Sequence, residues 1–151
     1  MGQFLGTHQN RLDAKGRVSI PAPFRAGLRS GSESGACAVV LRPSHKHSCI
    51  EAWPIEVFNA LAGPVDRLDL FSDEEDDFTT ALYADAHRLE ADKEGRVLLP
   101  DMLVAHAGLA DAVCFMGKGP TFQIWEPDAA AQRMAEARQN ARGLKLPGGR
   151  A

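Results

Sequence analysis

The stretch Asp13-Ala-Lys-Gly-Arg-Val-Ser-Ile-Pro21 occurs a second time, slightly altered, as Asp92-Lys-Glu-Gly-Arg-Val-Leu-Leu-Pro100. Five of the nine positions are identical, and the two copies lie 79 residues apart. An apolar run and then a tryptophan follow each copy, with Trp53 after the first and Trp125 after the second. Because the motif and its surroundings both recur, the pattern indicates that the chain contains two copies of one small unit.

Each copy shows the same order of predicted elements: a strand, a tight turn, a strand, a short helix, a hairpin and a second helix. The strand after each turn ends at a proline, which cannot donate a hydrogen bond to a ladder. The fold class is therefore mainly β with short helices, an α+β arrangement. The predicted strands include residues 17–20, 36–41, 49–53, 96–99, 112–116 and 121–125, and the short helices are 22–29 and 101–107.

The first copy is about seven residues longer than the second between the motif and the tryptophan. We expect the extra residues in loops at 30–35 and 44–48. Ser72 and Glu75 have the spacing of a capping box, and they predict a linking helix with Phe78 and Leu82 on one face. We expect a helix at 128–141 and a disordered tail at 142–151. The expected divisions are 7–57 (first repeat), 58–85 (connector), 86–129 (second repeat) and 130–151 (C-terminal helix and tail).

Composition narrows the function classes. The chain has 151 residues with 44% hydrophobic and 25% charged residues, which is typical of a globular protein. Three widely spaced cysteines support neither a disulfide framework nor a zinc ribbon, and a reducing cytosol is expected. The sequence shows no signal peptide and no apolar run of about 20 residues, so we expect neither export nor membrane insertion.

The charge of the chain is unevenly distributed. The net charge is -3, which alone argues against nucleic acid. Residues 1–30 nevertheless carry five cations and one carboxylate, whereas residues 73–77 are all acidic. A local basic surface in the first copy therefore remains suited to phosphate. The candidate DNA contacts are Arg11, Lys15, Arg17 and Arg25.

The repeated Asp-x-x-Gly-Arg pattern suits a tight turn between strands. Gly16 and Gly95 can supply a positive φ, and Asp13 and Asp92 can bond backbone N–H groups two residues on. The following arginine could pair with the aspartate, reach a backbone carbonyl, or project to phosphate or guanine. For Arg17 we leave these alternatives open. We expect Arg96 to be structural, because Glu94 replaces Lys15 in the second copy and would repel phosphate.

These two motifs resemble the paired signatures of the MraZ family, and Phe4-Leu-Gly6, Ala105-His-Ala-Gly-Leu109 and Phe122-Gln-Ile-Trp125 are similar to family features. The resemblance covers roughly residues 4–130. It implies two tandem AbrB-like repeats, related to the SpoVT-AbrB regulators, in a pseudo-dimeric barrel with swapped hairpins. It also implies a ring-shaped homo-oligomer that binds short direct repeats in promoter DNA. The implied targets are the division and cell-wall gene cluster and the protein's own gene.

Three further patterns in the sequence bear on metal binding, catalysis and toxin binding. His45, His47 and Cys49 alternate but lack a fourth zinc ligand nearby, so no metal or cofactor is expected. No motif assigns a catalytic role, which disfavours an enzyme of barrel class. An AbrB-like antitoxin is a further alternative, although only about ten residues remain for a toxin-binding tail. We expect Trp53 and Trp125 to pack in the core and to anchor the two halves.

Overall fold

The structure is a computed structural model that describes residues 3–65 and 67–144. Both copies contain a hairpin, a helix, a second hairpin and a final helix, which confirms the predicted order of elements. The first copy comprises β1 (Thr7–Arg11), β2 (Arg17–Ser19), α1 (Ala22–Ser30), β3 (Ala38–Pro43), β4 (Ile50–Pro54) and α2 (Ile55–Asn59). The second comprises β5 (His87–Glu90), β6 (Arg96–Leu98), α5 (Asp101–His106), β7 (Ala112–Gly117), β8 (Phe122–Trp125) and α6 (Pro127–Ala141).

The connector between the copies contains α3 (Ala62–Val65), α4 (Asp73–Thr79) and a π-helical turn, Thr80–Ala84. Ser72 caps α4 as expected, since its hydroxyl accepts a hydrogen bond from the N–H of Glu75 at 3.1 Å. Phe78 lies in α4 and Leu82 lies in the π-helical turn, so the predicted linking helix is not one continuous α-helix. Leu82 is buried, whereas Phe78 remains 47% exposed.

The two copies exchange their first strands. Six antiparallel strands form a sheet in the order β1-β7-β8-β4-β3-β5, and β2 pairs with β6 in a separate ribbon. The first strand of each copy therefore lies beside the third strand of the other copy. Replacing each strand by its equivalent in the other copy gives the same order read from the opposite edge of the sheet. An approximate two-fold axis therefore relates the copies. Hydrogen bonds between the described strands form this sheet and ribbon rather than one continuous closed barrel.

The main core lies between the six-stranded sheet and the β2–β6 ribbon, and both copies contribute to it. Phe24 of α1 lies against the rings of Phe4, Phe115 and Phe122, with centroid distances from 4.9 to 6.4 Å. Fully burying one such side chain stabilises the fold by about 1.5–3 kcal/mol. Because the core residues of one copy pack on those of the other, we infer that the two copies fold as one unit.

The expectation that the tryptophans join the two halves holds for Trp125, whose cluster includes Cys49 of the first copy, but not for Trp53, which packs within the first copy and the connector. Trp53 packs with Phe58 in a satellite cluster beside α2, and Trp125 packs with Ala130 of α6 in another. Neither belongs to the main core cluster. Each tryptophan therefore fixes the helix that follows its own strand, because that helix covers the face on which the indole lies.

The extra residues of the first copy are only partly in loops. Helix α1 has nine residues and α5 has six, so the helix takes up part of the difference. The predicted divisions of the chain stay a prediction. The tail predicted at 142–151 falls largely on residues 145–151, which lie outside the described residues. Among the described residues, no helix is long and apolar enough to span a membrane.

Candidate nucleic-acid interface

The carboxylate of Asp13 holds the turn that joins β1 to β2. Its Oδ1 accepts hydrogen bonds from the backbone N–H groups of Lys15 and Arg17 at 2.9 and 2.8 Å. Its Oδ2 accepts one from Nε of Arg17 at 2.9 Å. Gly16 has a φ of +86°, which a side chain would disfavour. The hydrogen bond from the Arg17 backbone, reinforced by the Arg17 side chain, lowers the pKa of Asp13.

The turn between β5 and β6 repeats this geometry. The Oδ1 of Asp92 accepts from the backbone N–H groups of Glu94 and Arg96 at 2.9 and 3.0 Å. The Oδ2 accepts from Nε of Arg96 at 3.1 Å, and Gly95 has a φ of +81°. The backbone hydrogen bond from Arg96 is the main cause that lowers the pKa of Asp92. The structure thus places the aspartate and the glycine of each copy in equivalent positions, and their predicted structural role stays a prediction.

Arg17 and Arg96 differ in how many of their guanidinium nitrogens pair with carboxylates. Both direct Nε to their own aspartate, but Nη2 of Arg96 also contacts Glu94 Oε2 at 2.5 Å. Within the described part of the chain, the terminal nitrogens of Arg17 make no hydrogen bond or ion pair. The Arg17 side chain is 38% exposed. Pairing with Asp13 therefore orients Arg17 and still leaves its terminal nitrogens for a ligand.

The two hairpins carry opposite charges at two equivalent positions. Lys15 corresponds to Glu94, and Arg11, which is the last residue of β1, corresponds to Glu90 at the end of β5. All four residues are exposed. The sequence analysis did not predict the replacement of Arg11 by Glu90. Extending the 79-residue offset two positions before Asp13 reveals it. The first hairpin thus presents cations where the second presents carboxylates.

The ribbon places side chains of both copies on one outer surface. Arg17 lies directly opposite Leu98, and Ser19 lies directly opposite Arg96. A shallow concavity on this surface is lined by Arg17, Leu98, Arg96 and the second-copy carboxylates Glu90 and Asp92. Leu98 is 59% exposed, and sequence reasoning gave no signal that it would lie beside Arg17. Residues of both repeats therefore form the surface around Arg17.

Arg25 lies apart from the other predicted DNA contacts. Its Nη1 donates a hydrogen bond to the carbonyl of Ile20 at 2.5 Å. A Cβ on Gly95 would collide with the Arg25 side chain, so the arginine packs over the turn of the second copy. The structure thus brings Arg11, Lys15 and Arg17 together on one hairpin and places Arg25 near the other.

The alternating trio in the β3–β4 loop does not converge. A ring nitrogen of His45 lies 2.5 Å from Nη2 of the buried Arg42, which also pairs with Glu51 at 2.7 Å. The His47 ring packs on Trp125, and burial raises the pKa of Cys49 to about 12. Among the described residues, no group of three or more potential metal ligands is present.

The chain is similar to known proteins over nearly its whole length. It matches the family described as "MraZ protein, putative antitoxin-like" at residues 3–81 and 82–142, so that each segment holds one copy. A curated relative from Gluconacetobacter diazotrophicus is 63% identical, covering 97% of this chain and 93% of the relative. A relative from Gluconobacter oxydans is 58% identical, covering 95% and 88%, and one from Rickettsia bellii is 41% identical, covering 91% and 89%. All three are named "Transcriptional regulator MraZ".

Proposed function

Since the chain belongs to the MraZ family, we propose that it regulates transcription by binding promoter DNA through the hairpin between β1 and β2. The relatives' printed name supports the regulatory role. Arg11, Lys15 and Arg17 supply the main DNA contacts. Arg25, which was also predicted as a contact, packs over Gly95 of the other hairpin and takes no part in this proposal. The function requires no cofactor and no catalytic residue.

The contrast in charge between the two hairpins carries the proposal. Residues 11–17 have a net charge of +2, and residues 90–96 have a net charge of -1. DNA is bound by cations that displace counterions from phosphate, so the first hairpin is suited to DNA and the second is not. The overall charge of -3 does not oppose this role, because residues 11–17 are locally cationic, whereas the densest run of carboxylates is at residues 73–77 of the connector.

The shape of the hairpin also suits DNA. The major groove admits a two-stranded β-ribbon, and an arginine can bond O6 and N7 of guanine with two nitrogens. Arg17 has both terminal nitrogens available and an orientation that Asp13 fixes. Exposed Arg11 and Lys15 then neutralise phosphates, which position the hairpin without reading sequence. Arg17 is accordingly the residue to which we assign base recognition.

One hairpin offers too few phosphate contacts for tight binding, so several chains act together. We propose a ring-shaped homo-oligomer that binds short direct repeats in promoters of the division and cell-wall gene cluster and of its own gene. The protein would then be found in the cytoplasm with the nucleoid. Light scattering at micromolar concentration should report a mass several times 16.3 kDa.

The proposal is tested by gel shift and titration with a duplex from upstream of the protein's own gene. We expect the duplex to bind more tightly than a shuffled duplex of equal length. Arg17→Ala should abolish this preference with the oligomer intact, whereas the matched change Arg96→Ala should act on stability or assembly. Wild-type affinity in folded Arg17→Ala protein would refute the assignment, as would selective loss of DNA binding in Arg96→Ala.

A further inference from the structure

The second hairpin has the same turn geometry as the first. In both turns the aspartate accepts hydrogen bonds of 2.8–3.1 Å from the backbone N–H two residues on and from the backbone N–H and Nε of the arginine. The backbone N–H of Ile20 donates a hydrogen bond to the carbonyl oxygen of Gly95 at 2.9 Å. The N–H of Leu99 donates one to the carbonyl oxygen of Gly16 at the same distance. Each turn therefore lies at an equivalent end of the ribbon. Backbone shape alone therefore does not favour DNA binding at the first hairpin over the second.

Two carboxylates distinguish the second hairpin electrostatically. Glu94 contacts Nη2 of Arg96, which removes from that arginine a donor that Arg17 retains. Glu90 ends β5 and lines the concavity that Arg96 shares with Arg17, so a phosphate bound there by Arg96 would meet its charge. The remaining surroundings favour an anion, because Arg25 packs over Gly95 and Lys93 is exposed. The side chains that oppose DNA here are thus chiefly Glu90 and Glu94, together with the paired Asp92.

We propose that Glu90 and Glu94 silence a second DNA-binding hairpin and so restrict each chain to one DNA site in one orientation. This inference rests on the proposed function of the first hairpin. The approximate two-fold axis would otherwise present DNA with two equivalent hairpins related by a half-turn. A chain of that kind could bind in either direction. Opposite charges at equivalent positions make one direction favourable and the other repulsive, and specificity of this kind comes from a repulsive element.

The test transfers DNA binding from one hairpin to the other. Arg17→Ala first removes binding to the upstream duplex, and Glu90→Arg with Glu94→Lys is then added in the same chain. We expect affinity at low salt to rise at least about tenfold above that of Arg17→Ala, because two carboxylates become cations. The slope of log affinity against log salt should steepen by about 2 for each bound hairpin, since each new phosphate contact adds about 0.9.

A matched control separates position from net charge. Glu74→Arg with Glu75→Lys changes the charge equally on α4 of the connector and should restore no binding in the Arg17→Ala chain. Adding Arg96→Ala to the restored chain should remove the gain in protein that light scattering shows to be still assembled, because the second hairpin then lacks its oriented arginine. Equal gains from the control, or no gain in a folded and assembled variant, would overturn the inference.

A milder variant guards against misfolding. Glu90→Gln with Glu94→Gln removes both charges without adding cations, and it should produce a smaller gain in the same background. If neither the cationic nor the neutral pair gains affinity, the second hairpin is not silenced by charge. If Arg17→Ala alone still binds as the wild type does, the proposed function fails instead, so the two failures are distinguishable.

Discussion

The hairpin at residues 11–17 and the hairpin at residues 90–96 share one turn geometry. In each, an aspartate accepts hydrogen bonds from two backbone N–H groups and from the Nε of an arginine. The corresponding distances are 2.9, 2.8 and 2.9 Å in the first and 2.9, 3.0 and 3.1 Å in the second. The exposed positions around this shared turn carry Arg11 and Lys15 in one hairpin and Glu90 and Glu94 in the other. The residues of the turn therefore specify its shape, whereas the neighbouring exposed side chains determine what the hairpin can bind.

The largest expected effect concerns operators with several repeats. If each chain offers one basic hairpin, neighbouring chains can use one duplex only where the same groove returns to the same face, about every 10 base pairs. Neighbours in a ring are related by rotation, so the sites should be direct repeats rather than a palindrome. Affinity should climb steeply from one repeat to two or three, because linked sites raise the effective concentration.

Titrations on operators with one, two and three repeats measure this effect. Inserting about five base pairs between repeats should erase the gain, since half a helical turn places one site on the opposite face. The salt slope should also rise with repeat number. Equal affinity for one repeat and three, or indifference to the insertion, would show that neighbouring chains do not bind DNA together.

Alanine substitution of the turn glycines should destabilise the protein more in the second hairpin than in the first. Gly16→Ala and Gly95→Ala both place a side chain at a φ above +80°, which costs about 1–3 kcal/mol. At Gly16 the nearest atoms to a new Cβ lie 3.6 Å away, but at Gly95 the methyl group must displace Arg25 from its bond to Ile20. The loss of that bond should add about 1 kcal/mol in Gly95→Ala.

Thermal or denaturant unfolding of the two glycine variants gives the comparison. Arg25→Ala is the control, because Gly95→Ala should cost no more than Gly16→Ala once the arginine is removed. Equal stabilities of the two single variants would show that Arg25 does not hold the second turn.

Lysine substitutions should give a smaller and purely electrostatic difference. Lys15→Ala removes one phosphate contact from the basic hairpin, and Lys93→Ala removes an equally exposed lysine from the acidic one. Lys15→Ala should weaken binding to operator and shuffled DNA alike and reduce the salt slope by about 1 for each bound chain. Lys93→Ala should leave both unchanged. A similar loss in both variants would indicate that general charge, and not the first hairpin, attracts DNA.

Much of the fold could be predicted from the motif, because prolines, glycines and apolar runs report local structure. The exchange of first strands did not follow from the motif itself, and only the family resemblance, with its swapped hairpins, implied it. Strand β1 alternates between exposed and half-buried residues, and this pattern would fit beside β3 of its own copy as well as beside β7. Only the complete core, to which both copies contribute, selects the exchanged pairing.

The candidate site was predicted where it depends on neighbours in sequence. Asp13, Gly16 and Arg17 form one turn, so their spacing revealed their geometry. The positions of Arg25 and Leu98 depend on the exchange between copies, since α1 begins at the end of the ribbon that carries Gly95. Sequence could show that Arg25 was a cation, but not which hairpin it would lie against.

The smallest expected effect is on acid stability, and it should be equal in the two hairpins. The hydrogen bonds in each turn lower the pKa of Asp13 and of Asp92 below 3.8. A carboxyl with a lower pKa in the folded state stabilises the protein above its unfolded pKa, which is about 3.9. This stabilisation is lost as the pH falls through the lower, folded value. Neither aspartate should therefore change stability between pH 5 and 8.

Asp13→Asn and Asp92→Asn keep an oxygen for the backbone N–H groups but lose the charge that attracts arginine. Each variant should melt below the wild type at pH 6, and the gap should shrink below about pH 4 as the native carboxyl becomes protonated. Melting curves from pH 2.5 to 6 measure the gap, with the Asp13→Asn/Asp92→Asn double variant as a check on additivity. The two single variants should follow the same curve, because the turns share their geometry, while only Asp13→Asn should weaken DNA binding. A gap that stayed constant down to pH 2.5 would show that the charge of the carboxylate contributes nothing to the turn.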